Sequence, residues 1–189
     1  MSTKVVDLFV YPIKAFQPVR LKKLELGEAG AVYDRIFCVV DSEGDFFPRG
    51  ESLSMRNCPP LGGVRVQIQN NQLIISAECM KRVLNVPIEV RAYSDKRDVK
   101  ISCSGLSTTS DGGWSLGGIK AKYCGKDAEE WFTEYLGIRM TKRFEKKKVK
   151  PRFILVRSAG QGRQCSNYAG PLQLPYSSDV SHQRSGKAS

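Results

Sequence analysis

The chain has 189 residues, 41% of them hydrophobic and 26% charged, which suffices for one core or two small ones. No run approaches the roughly 20 apolar residues that a membrane helix needs. The formal net charge of +11 is unevenly placed: residues 1–138 net +1, residues 139–152 net +7 and residues 153–189 net +3. The basic character therefore belongs to the last quarter of the chain.

Further function classes fall away on residue types. His182 is the single histidine, so a His-based triad or a multi-His metal site is excluded within this chain. Six cysteines, at 38, 58, 79, 103, 124 and 165, form no C-x-x-C pair, unlike a zinc knuckle or ribbon. The N-terminus lacks the basic and apolar regions of a secretory signal, so the expectation is a soluble, intracellular protein with reduced cysteines.

In chain order, Lys4–Val10 is apolar and β-branched and reads as a first strand. Tyr11-Pro12-Ile13-Lys14 follows as a tight proline turn carrying a lysine. Val19–Leu26 alternates loosely, as a half-exposed strand does. Ile36–Val40 is a continuous apolar run suited to a strand buried on both faces, with Cys38 inside it as an inert thiol. Asp41-Ser42-Glu43-Gly44 is turn chemistry, and Phe46-Phe47 resumes a hairpin partner. Val64–Gln69 and Leu73–Ile75 flank Asn70-Asn71, a two-residue hairpin signal. Val83–Val86, Ile88–Tyr93 and Val99–Ile101 complete a set of short, closely spaced strands, which indicates a barrel or sandwich. Residues 104–118 are rich in Ser, Thr and Gly and read as a flexible loop at a junction.

One helix is expected over 127–136. Ala128, Trp131, Phe132, Tyr135 and Leu136 form an apolar stripe, acidic residues occupy the first turn, and Gly137 stands as its C′ residue. Trp131 and Phe132 are expected in the core. Arg152–Arg157 reads as a further strand. Residues 158–189 are polar, and a disordered tail is expected there.

Two cations, Lys14 and Arg35, stand at the ends of neighbouring strands, which is the arrangement of an anion site. The motif order carries a resemblance. Val10-Tyr11-Pro12-Ile13-Lys14, then Gly30, Asp34-Arg35, Val39-Val40-Asp41, Gly44 and Arg49 resemble the N-terminal β-barrel domain of MOSC proteins. Asp127–Gly137 resembles the early helix of the MOSC domain that follows it. The resemblance implies a mainly β fold, a MOSC N-terminal-type barrel over residues 1–103 with at least one helix. The start of an incomplete or degenerate MOSC domain would occupy 119–157. It implies molybdenum-cofactor (molybdopterin) chemistry of an oxidoreductase or sulfur-carrier lineage, with Lys14, Arg35 and Arg49 holding the phosphate and pterin. The ion pair of Arg35 with Asp34 or Asp41 is the plain structural alternative. Ala15-Phe16-Gln17-Pro18 replaces the family's Ser-Cys turn, and no cysteine, Cys165 included, matches its molybdenum ligand. A truncated or degenerate member, not catalytic alone, is therefore expected.

The alternative is a non-catalytic basic module binding RNA or another polyanion through residues 139–152. Lys142, Arg143, Lys146, Lys147, Lys148, Lys150 and Arg152 would neutralise phosphates there. A solvated connecting loop is the bland reading of the same run. An anionic membrane surface is a weaker fit, since no amphipathic anchor accompanies the charges.

Overall fold

The computed structural model describes residues 4–27, 30–42, 50–56, 58–95, 97–102, 119–140 and 152–158. Arg49, Cys103, Cys165, His182, the 104–118 loop and the tail beyond 158 lie outside these residues. So does Phe46-Phe47.

The strands are β1 (Leu8–Val10), β2 (Val19–Leu21), β3 (Leu26–Gly27), β4 (Gly30–Ala31), β5 (Phe37–Ser42) and β6 (Gly50–Ser52). They continue with β7 (Arg65–Gln69), β8 (Gln72–Ser76), β9 (Leu84–Pro87), β10 (Asp98–Ser102) and β11 (Ile119–Tyr123). Helix α1 (Lys126–Arg139) and β12 (Arg152–Ser158) follow. Five of the strands close on themselves in the order β10-β11-β12-β5-β6, and the parallel pairing of β6 with β10 completes the ring. β7-β8-β9 form a separate antiparallel sheet, β1 pairs with β2, and β3 with β4.

Alternation along β5 and β12 builds two cores. Cys38, Val40, Ile154 and Val156 point into the barrel with Val99, Ala121 and Tyr123. A five-stranded barrel is narrow enough for such side chains to fill it. Phe37, Val39, Phe153 and Leu155 point the other way, into the larger core with α1 and the β7–β9 sheet. The run Ile36–Val40 is therefore apolar at every position because both faces of β5 are covered.

The helix stripe is buried as its spacing requires: Ala128, Trp131, Phe132, Tyr135 and Leu136 all lie in the core. Trp131 packs edge-on against Phe132 at 4.9 Å and stacks with Tyr135 at 5.4 Å between ring centroids. Their polar atoms are satisfied: Trp131 Nε1 donates to the Arg82 carbonyl at 2.7 Å and Tyr135 Oη to the Pro60 carbonyl at 2.6 Å. Burial of each aromatic contributes about 2–3 kcal/mol.

Several local expectations change. Ile88–Tyr93 is not a strand; Val90–Ala92 forms a 3₁₀ turn in which Ala92 N–H meets Glu89 O and Tyr93 N–H meets Val90 O. Asp41 and Ser42 remain in β5 because β12 continues the ladder opposite them. Gly137 lies inside α1, which ends where Met140 N–H bonds Leu136 O. β1 begins at Leu8, and the Val19–Leu26 strand breaks after Leu21, where Lys22 and Lys23 bend the chain. β11 was not legible as a strand. Pairing runs across the expected 103/119 division: β11 pairs β10, β12 pairs β5, and α1 shares the larger core with β5.

Candidate anion-binding site

The turn after β1 is fixed to the start of β5 by three backbone hydrogen bonds. Arg35 N–H meets Tyr11 O at 2.7 Å, Phe37 N–H meets Pro12 O at 3.1 Å, and Lys14 N–H meets Phe37 O at 2.9 Å. Proline suits this place, because its ring holds Tyr11 extended and only its carbonyl is required. Phe16 N–H then closes a turn on Ile13 O, with Ala15 in the left-handed region at φ 70°. That is the third position of a type II turn, where glycine is favoured. Phe16 is buried and its ring lies 5.8 Å from that of Phe132, so α1 holds the turn from beneath.

On the β5 side, Tyr33 and Arg35 have φ of 70° and 52°. Each left-handed residue of this kind costs roughly 1–2 kcal/mol. The buried Asp34, 5% exposed, offsets that cost: Oδ1 accepts the Tyr11 N–H at 3.1 Å and Oδ2 accepts Arg35 Nη1 at 2.8 Å. The Arg35 guanidinium also lies 5.5 Å from the centroid of the Tyr11 ring. Asp34 is thus the partner that Arg35 takes. The Arg35 side chain stays 34% exposed and lines a cleft of about 390 Å³ with Tyr11, Phe16, Pro18 and Met55. Gln17 Nε2 donates to Gly62 O at 3.1 Å and ties one wall to the next loop.

Lys14 goes elsewhere. Its ammonium donates to Ser52 Oγ at 2.8 Å, on β6, and it does not line the cleft that Arg35 lines. The two cations are therefore neighbours along the paired backbone, with side chains assigned to different surroundings.

Of the basic residues of the run, only Arg139, the last residue of α1, and Arg152 are described. Arg152 is anchored. Its Nε and Nη2 both contact Glu129 Oε1 at 2.7 Å, and Tyr123 Oη donates to Glu129 Oε2 at 2.6 Å. Arg97 lies over the Tyr123 ring at 4.8 Å. Burial opposes the Glu129 charge, but Arg152 and the Tyr123 hydroxyl outweigh it and hold the carboxyl below the ordinary range. Burial, then the bond to Glu129, pushes the Tyr123 hydroxyl up. Arg152 thus joins α1 to β11 and β12. Sequence spacing gave no sign of this cluster, and it read Glu129 only as a first-turn acid.

The family model of the MOSC N-terminal beta barrel domain matches residues 2–139. The chain belongs to this family. The match ends at the last residue of α1 and so takes in β11 and the helix with the preceding strands. Mitochondrial amidoxime reducing component 2 of Rattus norvegicus is 27% identical over 136 residues, 70% of this chain and 34% of the relative. Molybdenum cofactor sulfurase of Bos taurus is 25% identical over 138 residues, 72% of this chain and 14% of the relative. The Danio rerio sulfurase is 25% identical over 175 residues, 92% of this chain and 18% of the relative. The chain thus spans about a third or less of these relatives. A solution structure of a Bordetella bronchiseptica protein aligns with TM-score 0.43 and 17% identity, covering 70% of this chain and 84% of that one. Two of these relatives are thus molybdenum cofactor sulfurases. Among the described residues no helix is long and apolar enough to cross a membrane.

Proposed function

We propose that this MOSC-family chain binds the phosphate-bearing pterin of the molybdenum cofactor through Arg35, as a binding member of the oxidoreductase or sulfur-carrier lineage. The observation that carries this is the Arg35 guanidinium, fixed at one nitrogen by Asp34 on the wall of an aromatic-lined cleft. The residues fit such a group in kind. A guanidinium matches phosphate in a bidentate way, and the apolar surfaces of Tyr11, Phe16 and Pro18 suit a flat heterocycle. The bound cofactor would supply redox or sulfur-transfer chemistry; this chain would hold and orient its anionic end. Lys14 and Arg49 are secondary candidates, Lys14 acting from beside Ser52.

The test is the pterin content of protein purified from its own host, read as fluorescence after oxidation. Wild type is expected to carry pterin, and Arg35→Ala to lose it while remaining folded. Wild type without pterin, or full retention by Arg35→Ala, refutes the proposal. The RNA alternative keeps its charge density over residues 139–152, while Arg152 is already committed to Glu129.

A further inference from the structure

We infer that Asp34 is the positioning residue of this cleft, holding Arg35 by Nη1 so that the Nε–Nη2 edge is presented to an oxyanion. This rests on the assignment of Arg35 as the anion contact and adds the group that makes that contact directional.

The geometry separates anchor from recognition edge. A guanidinium has two forked edges able to meet two oxygens at once, and the lateral one is formed by Nε and Nη2. Asp34 Oδ2 takes Nη1 at 2.8 Å, and no acceptor among the described residues takes Nε or Nη2. The other carboxylate oxygen takes the Tyr11 N–H, so one side chain sets both the cation and the residue whose ring lies beneath it. Asp34 is itself held, between two left-handed residues and by its own N–H to Ala31 O at 3.1 Å. A carboxylate this buried cannot swing out to follow the arginine, so it restricts the arginine instead. Strained backbone that persists at a ligand-facing turn is the pattern expected of preorganisation.

A competing role for Asp34 is charge cancellation, and it has the opposite sign. A carboxylate that merely neutralises Arg35 weakens anion binding, so its removal tightens binding. A carboxylate that positions Arg35 saves the cost of ordering a long side chain on binding, so its removal weakens binding.

The experiment uses the full chain and inorganic phosphate as the probe, following the Arg35 Nε–Hε signal by ¹⁵N NMR in wild type, Asp34→Asn and Arg35→Lys. Asp34→Asn keeps an oxygen for the Tyr11 N–H and loses the charge. Expected are slowed Nη rotation of Arg35 in wild type before phosphate is added, averaged rotation in Asp34→Asn, and phosphate binding about three- to tenfold weaker in Asp34→Asn. Arg35→Lys, with the charge and no fork, loses the phosphate response. Freely rotating Arg35 in wild type overturns the inference whether or not the variant folds, as does equal or tighter phosphate binding by Asp34→Asn. Restricted rotation with no phosphate binding in any protein overturns the anion assignment of the cleft and leaves Asp34 as a purely structural clamp.

Discussion

Replacing Glu129 with glutamine tests whether the Arg152–Glu129–Tyr123 cluster locks the helix to the barrel. Glu129 and Arg152 side chains are 14% and 31% exposed, so the pair sits between a surface ion pair and a buried one. Surface pairs contribute up to about 1 kcal/mol, and hydrogen bonds to charged groups about 1.5–3. The amide oxygen of glutamine can still accept from Arg152, and its NH₂ can donate to Tyr123 Oη, so the loss is chiefly that of the charge. About 2 kcal/mol is expected, a fall of roughly 4–8 °C in melting temperature for a chain of this size. The pH dependence has a defined sign. The folded Glu129 carboxyl lies below its ordinary value, so its contribution is full above that ordinary value and is lost as pH falls through the folded one. The wild-type advantage over Glu129→Gln should therefore shrink between pH 7 and pH 3. Urea unfolding of both proteins at a series of pH values measures it. A difference below about 0.5 kcal/mol at pH 7, or one that does not change with pH, refutes the lock.

Tyr135→Phe removes the donor to the half-buried Pro60 carbonyl and should cost about 1 kcal/mol in urea unfolding; an unchanged midpoint would mean that water replaces the bond. Ala15→Gly relieves a left-handed alanine and should be neutral or stabilising by up to about 1 kcal/mol, whereas Ala15→Val should destabilise; a clear loss with glycine would show that the methyl group matters more than the backbone. If residues 139–152 bind RNA with about five phosphate contacts, affinity for a single-stranded oligonucleotide should fall roughly a hundredfold from 50 to 200 mM salt. Replacing Lys146, Lys147 and Lys148 with glutamine should flatten that slope, and salt-independent binding would remove the polyanion reading.

Much of the fold was legible because burial on one or both faces leaves a periodic trace. β5 and β12 read as continuous apolar runs, and α1 as a stripe. The Asn70-Asn71 hairpin appeared as expected, with φ of 48° and 58° at its two central residues. β11 was missed because Lys120 and Lys122 alternate with Ile119, Ala121 and Tyr123 directly after a Gly/Ser-rich stretch. Ile88–Tyr93 misled because its β-branched composition fits a strand, while its buried ends, Ile88 and Tyr93, suit a compact turn equally well. At the cleft, the adjacency of Lys14 and Arg35 was legible from strand order. The direction of Lys14 was not, since Ser52 is remote in sequence. Nor was the double use of Asp34, which depends on two oxygens meeting groups from different segments.

The cleft and the helix are mechanically one unit, which bears on how any binding defect should be read. Phe16 lines the cleft and also packs on Phe132, in the same core as Trp131 and Tyr135. A cavity opened at Phe132 would therefore loosen the turn that carries Lys14 and Ala15, without removing any group that touches a ligand. Such a variant should lose stability and affinity together, because an interior packed to crystal density transmits the strain. Arg35→Ala should lose affinity out of proportion to stability: Arg35 is a third exposed and its backbone bond to Tyr11 survives truncation, so only the ion pair with Asp34 is given up. Affinity lost out of proportion to stability is thus the signature that separates a residue meeting the anion from one that merely supports the wall around it.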